Sequence, residues 1–152
     1  MVKSANPKDL TKEAIKEYIE RIQKSGKLKL VTQQTYNKEI IEQKKNVVLT
    51  LVDESVPKPE NKKLLTMMKN LAKKYNPDEY NIFFYYMDIS QNLPLDIDIK
   101  NEVLPITLLY KKTGNKQLIV KIEYRDFENL TEEIIEKQLY ETLYKEINGE
   151  EL

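Results

Sequence analysis

Residues 46–75 read NVVLTLVDESVPKPENKKLLTMMKNLAKKY. The first seven form an almost continuous apolar run rich in β-branched residues, the pattern of a strand covered on both faces, as in a parallel sheet. From residue 60 the period changes. Leu64, Leu65, Met67, Met68, Leu71 and Ala72 recur at helical spacing and form one apolar stripe. Between the two lies DESVPKPE, residues 53–60, where Pro57 and Pro59 straddle Lys58. Pro59 and Glu60 suit the first turn of a helix, where a missing amide costs nothing and a negative charge meets the positive end of the dipole. A buried strand that feeds an amphipathic helix sets the expectation of an α/β chain.

Working outward, NPDEY (76–80) punctuates and NIFFYYMDI (81–89) gives a second buried strand. Residues 94–101 read as a short helix or turn, and ITLLYKK (106–112) as a third strand. TGNKQ is a hairpin turn leading to LIVKIEY (118–124). Thr131 or Asn129 can cap a last helix, EEIIEKQLYETLYKEI (132–147). Upstream, TKEAIKEYIERIQK (11–24) puts Ala14, Ile15, Tyr18, Ile19 and Ile22 on one helical face, with Thr11 as cap and Gly26 as stop. GKLKL (26–30) reads as a connector and residues 38–44 as a short helix. The order after residue 36 is therefore α-β-α-β-α-β-β-α, which implies a mixed sheet covered by helices on both faces.

Composition narrows the function. The 152 residues suffice for one domain and one extra element, with 40% apolar and 33% charged residues. Lys and Arg total 25, and so do Asp and Glu. This balance, with Lys and Glu interleaved along the helices, argues against nucleic acid as a partner. No stretch approaches the roughly 20 apolar residues that would insert into a membrane. MVKSANPKDL at the start lacks the apolar centre of a signal peptide. The chain has neither Cys nor His, which removes thiol catalysis, disulfides, cysteine metal sites and the commonest acid–base side chain. No cofactor is expected.

Several local features have plain structural readings. Asp96, Asp98 and Glu102 lie close in sequence but lack the spacing and glycine of a calcium loop, so no metal site is expected. The aromatics of NIFFYYM read as packing on alternate faces, and Met67–Met68 as core filling. Asn129-Leu130-Thr131 is a glycosylation sequon that coincides with a helix cap.

The element order, with a proline directly before the third strand, resembles the thioredoxin fold. NLPLDIDIKNEVLPITLLYKKTG (92–114) resembles the run of short helix, cis-proline and hairpin strand, with Pro105 in the cis-proline position. YYMDIS (85–90) resembles the preceding strand with its terminal Asp88, and NKKLLTMMKNLAKKY the helix that follows the reactive site. The thioredoxin-like domains of protein disulfide isomerases are the family resembled most. LTKEAIKEYIERIQKSGKLK (10–29) looks like the last helix of a preceding domain and its link. The ending Gly149, Glu150, Glu151, Leu152 resembles a KDEL-type retrieval signal, matching the final Glu-Leu and not the first position. The resemblance divides the chain into a helix and linker (1–27), a redox-inactive thioredoxin-like domain (28–147) and a retrieval-like tail (148–152).

In that family a Cys-x-x-Cys motif opens the helix, where amides and dipole stabilise a thiolate. The alignment puts Lys58 and Asn61 at the two cysteine positions, with Pro59 and Glu60 between them and Val52 near the place of a buried acid. Without cysteine the chain cannot exchange disulfides. Lysine catalysis in its place would require desolvation or a charged neighbour, and Lys58 lies in a turn between prolines. Lys58 and Glu60 read more simply as features of a helix start. Pro105 on its structural reading fixes the turn into the third strand. On its functional reading it leaves the Leu104 backbone beside the old reactive site, open to an extended peptide. Val56, Pro57, Leu104, Pro105 and Ile106 then form the expected peptide-binding lip.

The resemblance implies a redox-inactive domain of a protein disulfide isomerase-like protein in the endoplasmic reticulum lumen. Its expected partners are unfolded or partly folded polypeptides and other domains of the same parent, whose catalytic cysteines would lie elsewhere. The alternative is a structural spacer.

Overall fold

A computed structural model describes residues 12–16, 26–93 and 97–145. Residues 12–16 are helical, and the rest of the expected 11–24 helix lies outside the described residues, as does the 146–152 tail. Five strands, β1 (Leu28–Leu30), β2 (Asn46–Val52), β3 (Ile82–Asp88), β4 (Ile106–Thr113) and β5 (Lys116–Glu123), form one sheet in the order β1-β3-β2-β4-β5. β1 and β2 run parallel to β3, β4 is antiparallel to β2, and β5 to β4. This is the mixed, helix-covered α/β sheet that the pattern implied. All seven residues of β2 are buried, because it sits at the centre with both faces covered. On the edge strand β5, Lys121 and Glu123 face solvent on either side of the buried Ile122.

Helix α1 (Pro59–Lys74) and helix α3 (Glu132–Tyr140), which continues as a π-helical turn over Glu141–Lys145, cover one face. There Leu64, Met68, Leu71, Ile135 and Leu139 close over Val48 and Leu109. Leu49, Leu51, Met87, Leu108 and Tyr110 point to the other face, where Tyr36, Ile40 and Ile99 cover them. The buried Tyr36 and Tyr110 hydroxyls meet at 2.6 Å. The Tyr85 hydroxyl donates to Glu39, and burial with that carboxylate pushes its pKa well up. Consecutive side chains of β4 tie down helical carbonyls. Lys111 Nζ donates to Thr142 O at 3.1 Å, and Lys112 Nζ to Ile40 O at 2.8 Å and Ile41 O at 3.1 Å. Burial pulls the Lys112 pKa down.

The structure departs from the sequence reading at three places. Residues 28–30, read as a connector, are edge strand β1, whose three residues pair with Phe84–Tyr86. Three residues are too few to show a period. Gly26 just before it is required by close approach: a Cβ there would lie 2.1 Å from the Ala72 carbonyl oxygen at the end of α1. The 38–44 helix is a single π-helical turn, Asn37–Ile41. The punctuation after α1 contains a further turn of helix, α2 (Pro77–Tyr80), capped by Asn76 Oδ1 accepting from the Asp78 amide at 2.8 Å. Of residues 94–101, read as a short helix or turn, 97–101 form coil and a turn, while 94–96 lie outside the described residues. At the end of the sheet Thr131, not Asn129, caps α3, and its side chain accepts from the Ile134 amide at 3.3 Å. Gly114 takes φ 60° in the hairpin turn, where glycine carries no steric cost.

Candidate functional site

The site forms where β2 ends and α1 begins. β2 stops at Val52, and Asp53–Lys58 must turn the chain back over the sheet. The turn supplies its own hydrogen bonds: the Asp53 carboxylate accepts from the amide and hydroxyl of Ser55, Val56 N–H reaches Asp53 O at 3.2 Å, and Lys58 N–H reaches Val56 O at 2.8 Å. Glu54 N–H donates to Asp88 Oδ1 at 3.1 Å, which anchors the turn to the end of β3. The same carboxylate oxygen takes the amide and hydroxyl of Ser90 at 3.1 and 2.7 Å. Partial burial of Asp88 opposes its charge, but these donors outweigh that cost and hold its pKa below the usual carboxylate value.

Lys58 is the N-cap of α1 and Pro59 its first residue. Its side chain makes no cap. Instead Lys58 Nζ reaches across to the carbonyl of Leu104, 3.2 Å away, next to the cis Leu104–Pro105 bond. Asn61, one turn into the helix, is buried and donates through Nδ2 to Asp53 O at 3.0 Å and Val56 O at 3.4 Å. Its Oδ1 is buried, with no hydrogen-bond partner among the described residues. The two positions aligned with cysteines therefore do different work. Lys58 bridges two loops, and Asn61 braces one.

Of the expected lip residues, Val56 is 42% exposed and Pro57 is exposed, while Leu104 is half-buried. The side chains of Pro105 and Ile106 are buried, Ile106 in the core opposite α1. Ile106 is also paired on both sides, with Leu51 of β2 and Glu123 of β5, so the backbone open to a partner is that of Leu104. Val103, 80% exposed and adjoining Leu104, adds apolar surface that the sequence reading passed over. A groove of about 540 Å³ continues from Val56 and Pro57 along α1, beside Leu28 of β1 and Tyr86 of β3.

Val52, near which the alignment expects a buried acid, is itself fully buried and carries no titratable group. One step below it lies a polar chain that the sequence reading missed. Thr50 and Thr107 oppose each other across β2 and β4 with their hydroxyls 3.2 Å apart, and the Tyr124 hydroxyl donates to Thr107 at 2.7 Å. Burial pushes the Tyr124 pKa well above its usual range. The available signal was a threonine, Thr50 and Thr107, inside the apolar stretch of each strand.

Among the described residues no cluster of acidic side chains is arranged to hold a metal ion. Asp98 accepts from the Lys100 amide, Glu102 pairs with Lys121 at 2.8 Å, and Asp96 lies outside the described residues. No described helix is long and apolar enough to cross a membrane.

Neither a protein-family model nor a curated protein sequence matches the chain. Its fold does match solved structures. A chain in the crystal structure of the ferredoxin:thioredoxin reductase and thioredoxin f2 complex superposes with a TM-score of 0.52 at 20% identity, over 76% of this chain and 98% of that one. The thioredoxin of Malassezia sympodialis superposes with a TM-score of 0.51 at 12% identity, over 73% and 90%. The chain therefore has a thioredoxin-like α/β fold, and it carries no cysteine on that frame.

Proposed function

We propose that the chain is a redox-inactive thioredoxin-like domain of a protein disulfide isomerase-like protein, which binds or positions unfolded polypeptides in the endoplasmic reticulum. The observation that carries this reading is the hydrogen bond from Lys58 to the Leu104 carbonyl. It brings the start of α1 and the loop before β4 together beside the exposed Val56 and Pro57, without a thiol. An extended peptide can pair with the Leu104 backbone by strand-like addition and rest its side chains on Val56, Pro57 and Val103.

The spacer reading also has an observation in its favour. Leu104 O already accepts a hydrogen bond from Lys58, so the pairing position is satisfied without a client. A two-dimensional NMR titration of the labelled chain with an unstructured, uncharged apolar peptide separates the two. Client binding predicts shifts clustered on Glu54–Lys58 and on Val103, Leu104 and Ile106. A flat titration at millimolar peptide sinks client binding and leaves a spacer that acts through contacts with neighbouring domains.

A further inference from the structure

We infer that the groove between α1 and the β1 edge of the sheet selects extended polypeptide segments that carry carboxylate side chains, as a continuation of the Val56–Leu104 lip. The inference rests on the peptide-binding reading above and names its substrate class. The rim of the groove carries Lys58, Lys62 and Lys69 against a single carboxylate, Glu54, while Leu28, Leu65 and Tyr86 line it with apolar surface. Lys62 and Lys69 are exposed, and among the described residues neither enters an ion pair or a side-chain hydrogen bond. This local excess of positive charge stands out in a chain whose formal net charge is +0.

Geometry favours an extended occupant. Lys62 and Lys69 are seven residues apart on α1, about 10 Å along its axis, which about three residues of extended chain also span. An extended segment can therefore set carboxylates two to four residues apart against the two ammonium groups, with apolar side chains between them facing Leu65 and Tyr86. Lys58 supplies the link to the lip. A peptide amide that pairs with Leu104 O displaces the Lys58 ammonium, which then needs a new acceptor. A carboxylate at the mouth of the groove provides one. A nucleic-acid backbone fits less well, because the groove is apolar inside and the chain as a whole carries no excess of positive charge.

The test titrates the full chain with three nine-residue amidated peptides in which Leu and Val alternate with Glu and Asp, with Gln and Asn, or with Lys. The acidic peptide is expected to bind roughly three- to tenfold more tightly than the neutral one, as two or three exposed ion pairs would allow, and to lose that margin by 0.5 M salt. Its shifts should run from Val56 through Lys62, Leu65, Thr66 and Lys69. The K62E/K69E variant should abolish the margin while leaving the neutral peptide's shifts at Val56 and Leu104 unchanged. If neutral and acidic peptides bind the lip equally and Lys62 and Lys69 stay silent, the inference falls and the peptide-binding reading stands. If no peptide shifts any residue, both fall. If a short single-stranded oligonucleotide shifts Lys62 and Lys69 and the acidic peptide does not, the occupant is wrong and the inference is overturned.

Discussion

Lys58 Nζ and the Leu104 carbonyl oxygen lie 3.2 Å apart, although 46 residues separate them in the chain. In a thiol-bearing relative the side chain at this helix start would carry the chemistry. Here it is a cation holding the backbone beside Pro105. Because Lys58 is exposed, the bond contributes little to stability. K58A is expected to change unfolding free energy in urea by less than about 1 kcal/mol. It should also free Leu104 O and raise the affinity of a neutral apolar peptide about two- to fivefold, read by NMR titration. Weaker binding would mean that Lys58 itself contacts the peptide.

The sequence alignment sets Lys58 and Asn61 at the spacing of a Cys-x-x-Cys pair at the start of α1. K58C/N61C puts thiols at the N-cap and one turn further on, with Pro59 between them. Mild oxidation should close an intramolecular disulfide, detected as lost thiol titre in a monomer, and the N-cap thiol should titrate below about 8.5 because helix amides face it. Disulfide exchange with a linked peptide should stay slow, since Val52 offers no proton acceptor. N61C also removes the two bonds that brace the turn, so the variant should lose about 1–2 kcal/mol of stability. Persistence of two free thiols after oxidation would show that the loop has drifted from the fold's reactive geometry.

Thr107 accepts from the Tyr124 hydroxyl and meets Thr50 in the buried sheet. T107V keeps the shape but leaves two hydroxyls without their partner, at a cost of roughly 1–3 kcal/mol. The triple variant T50V/T107V/Y124F removes all three hydroxyls and should be closer to the parent chain than T107V alone. Strict additivity of the single substitutions in thermal or urea unfolding would count against a coupled chain.

The charge on Asp88 favours the fold through the amides of Glu54 and Ser90 and the Ser90 hydroxyl. Its folded pKa is lowered, so the folded state holds this proton less tightly than the unfolded chain. The resulting stability is present above the unfolded value near pH 4 and is lost as pH falls through the lower folded value. D88N should therefore flatten the acid limb of a stability–pH curve below about pH 4. In hydrogen exchange it should also speed the Glu54 amide at neutral pH. An acid limb identical in D88N and the parent chain would assign that limb to other carboxylates.

The fold was legible because its strongest signals are local. Asn46–Val52 is buried at every position and apolar at all but Asn46 and Thr50, since a central strand covered on both faces has no solvent side, and the stripe of α1 repeats at helical spacing. The boundaries of α1 followed from Pro59 and the hairpin from Gly114. Weak local signals misled. β1 is three residues long and is a strand only because β3 lies beside it, and the Asn37–Ile41 turn is held partly by Lys112 from β4.

The candidate site divides in the same way. Sequence alone excluded thiol chemistry, through the absence of any cysteine, and placed Lys58 and Asn61 at the start of α1. Only the tertiary structure decided what those two side chains do. A lysine's reach to Leu104, an asparagine's bonds back to Asp53 and Val56, and the burial of Ile106 all depend on segments brought together by the sheet. Composition and period report what one segment prefers, whereas a hydrogen bond across 46 residues exists only once the strands have paired.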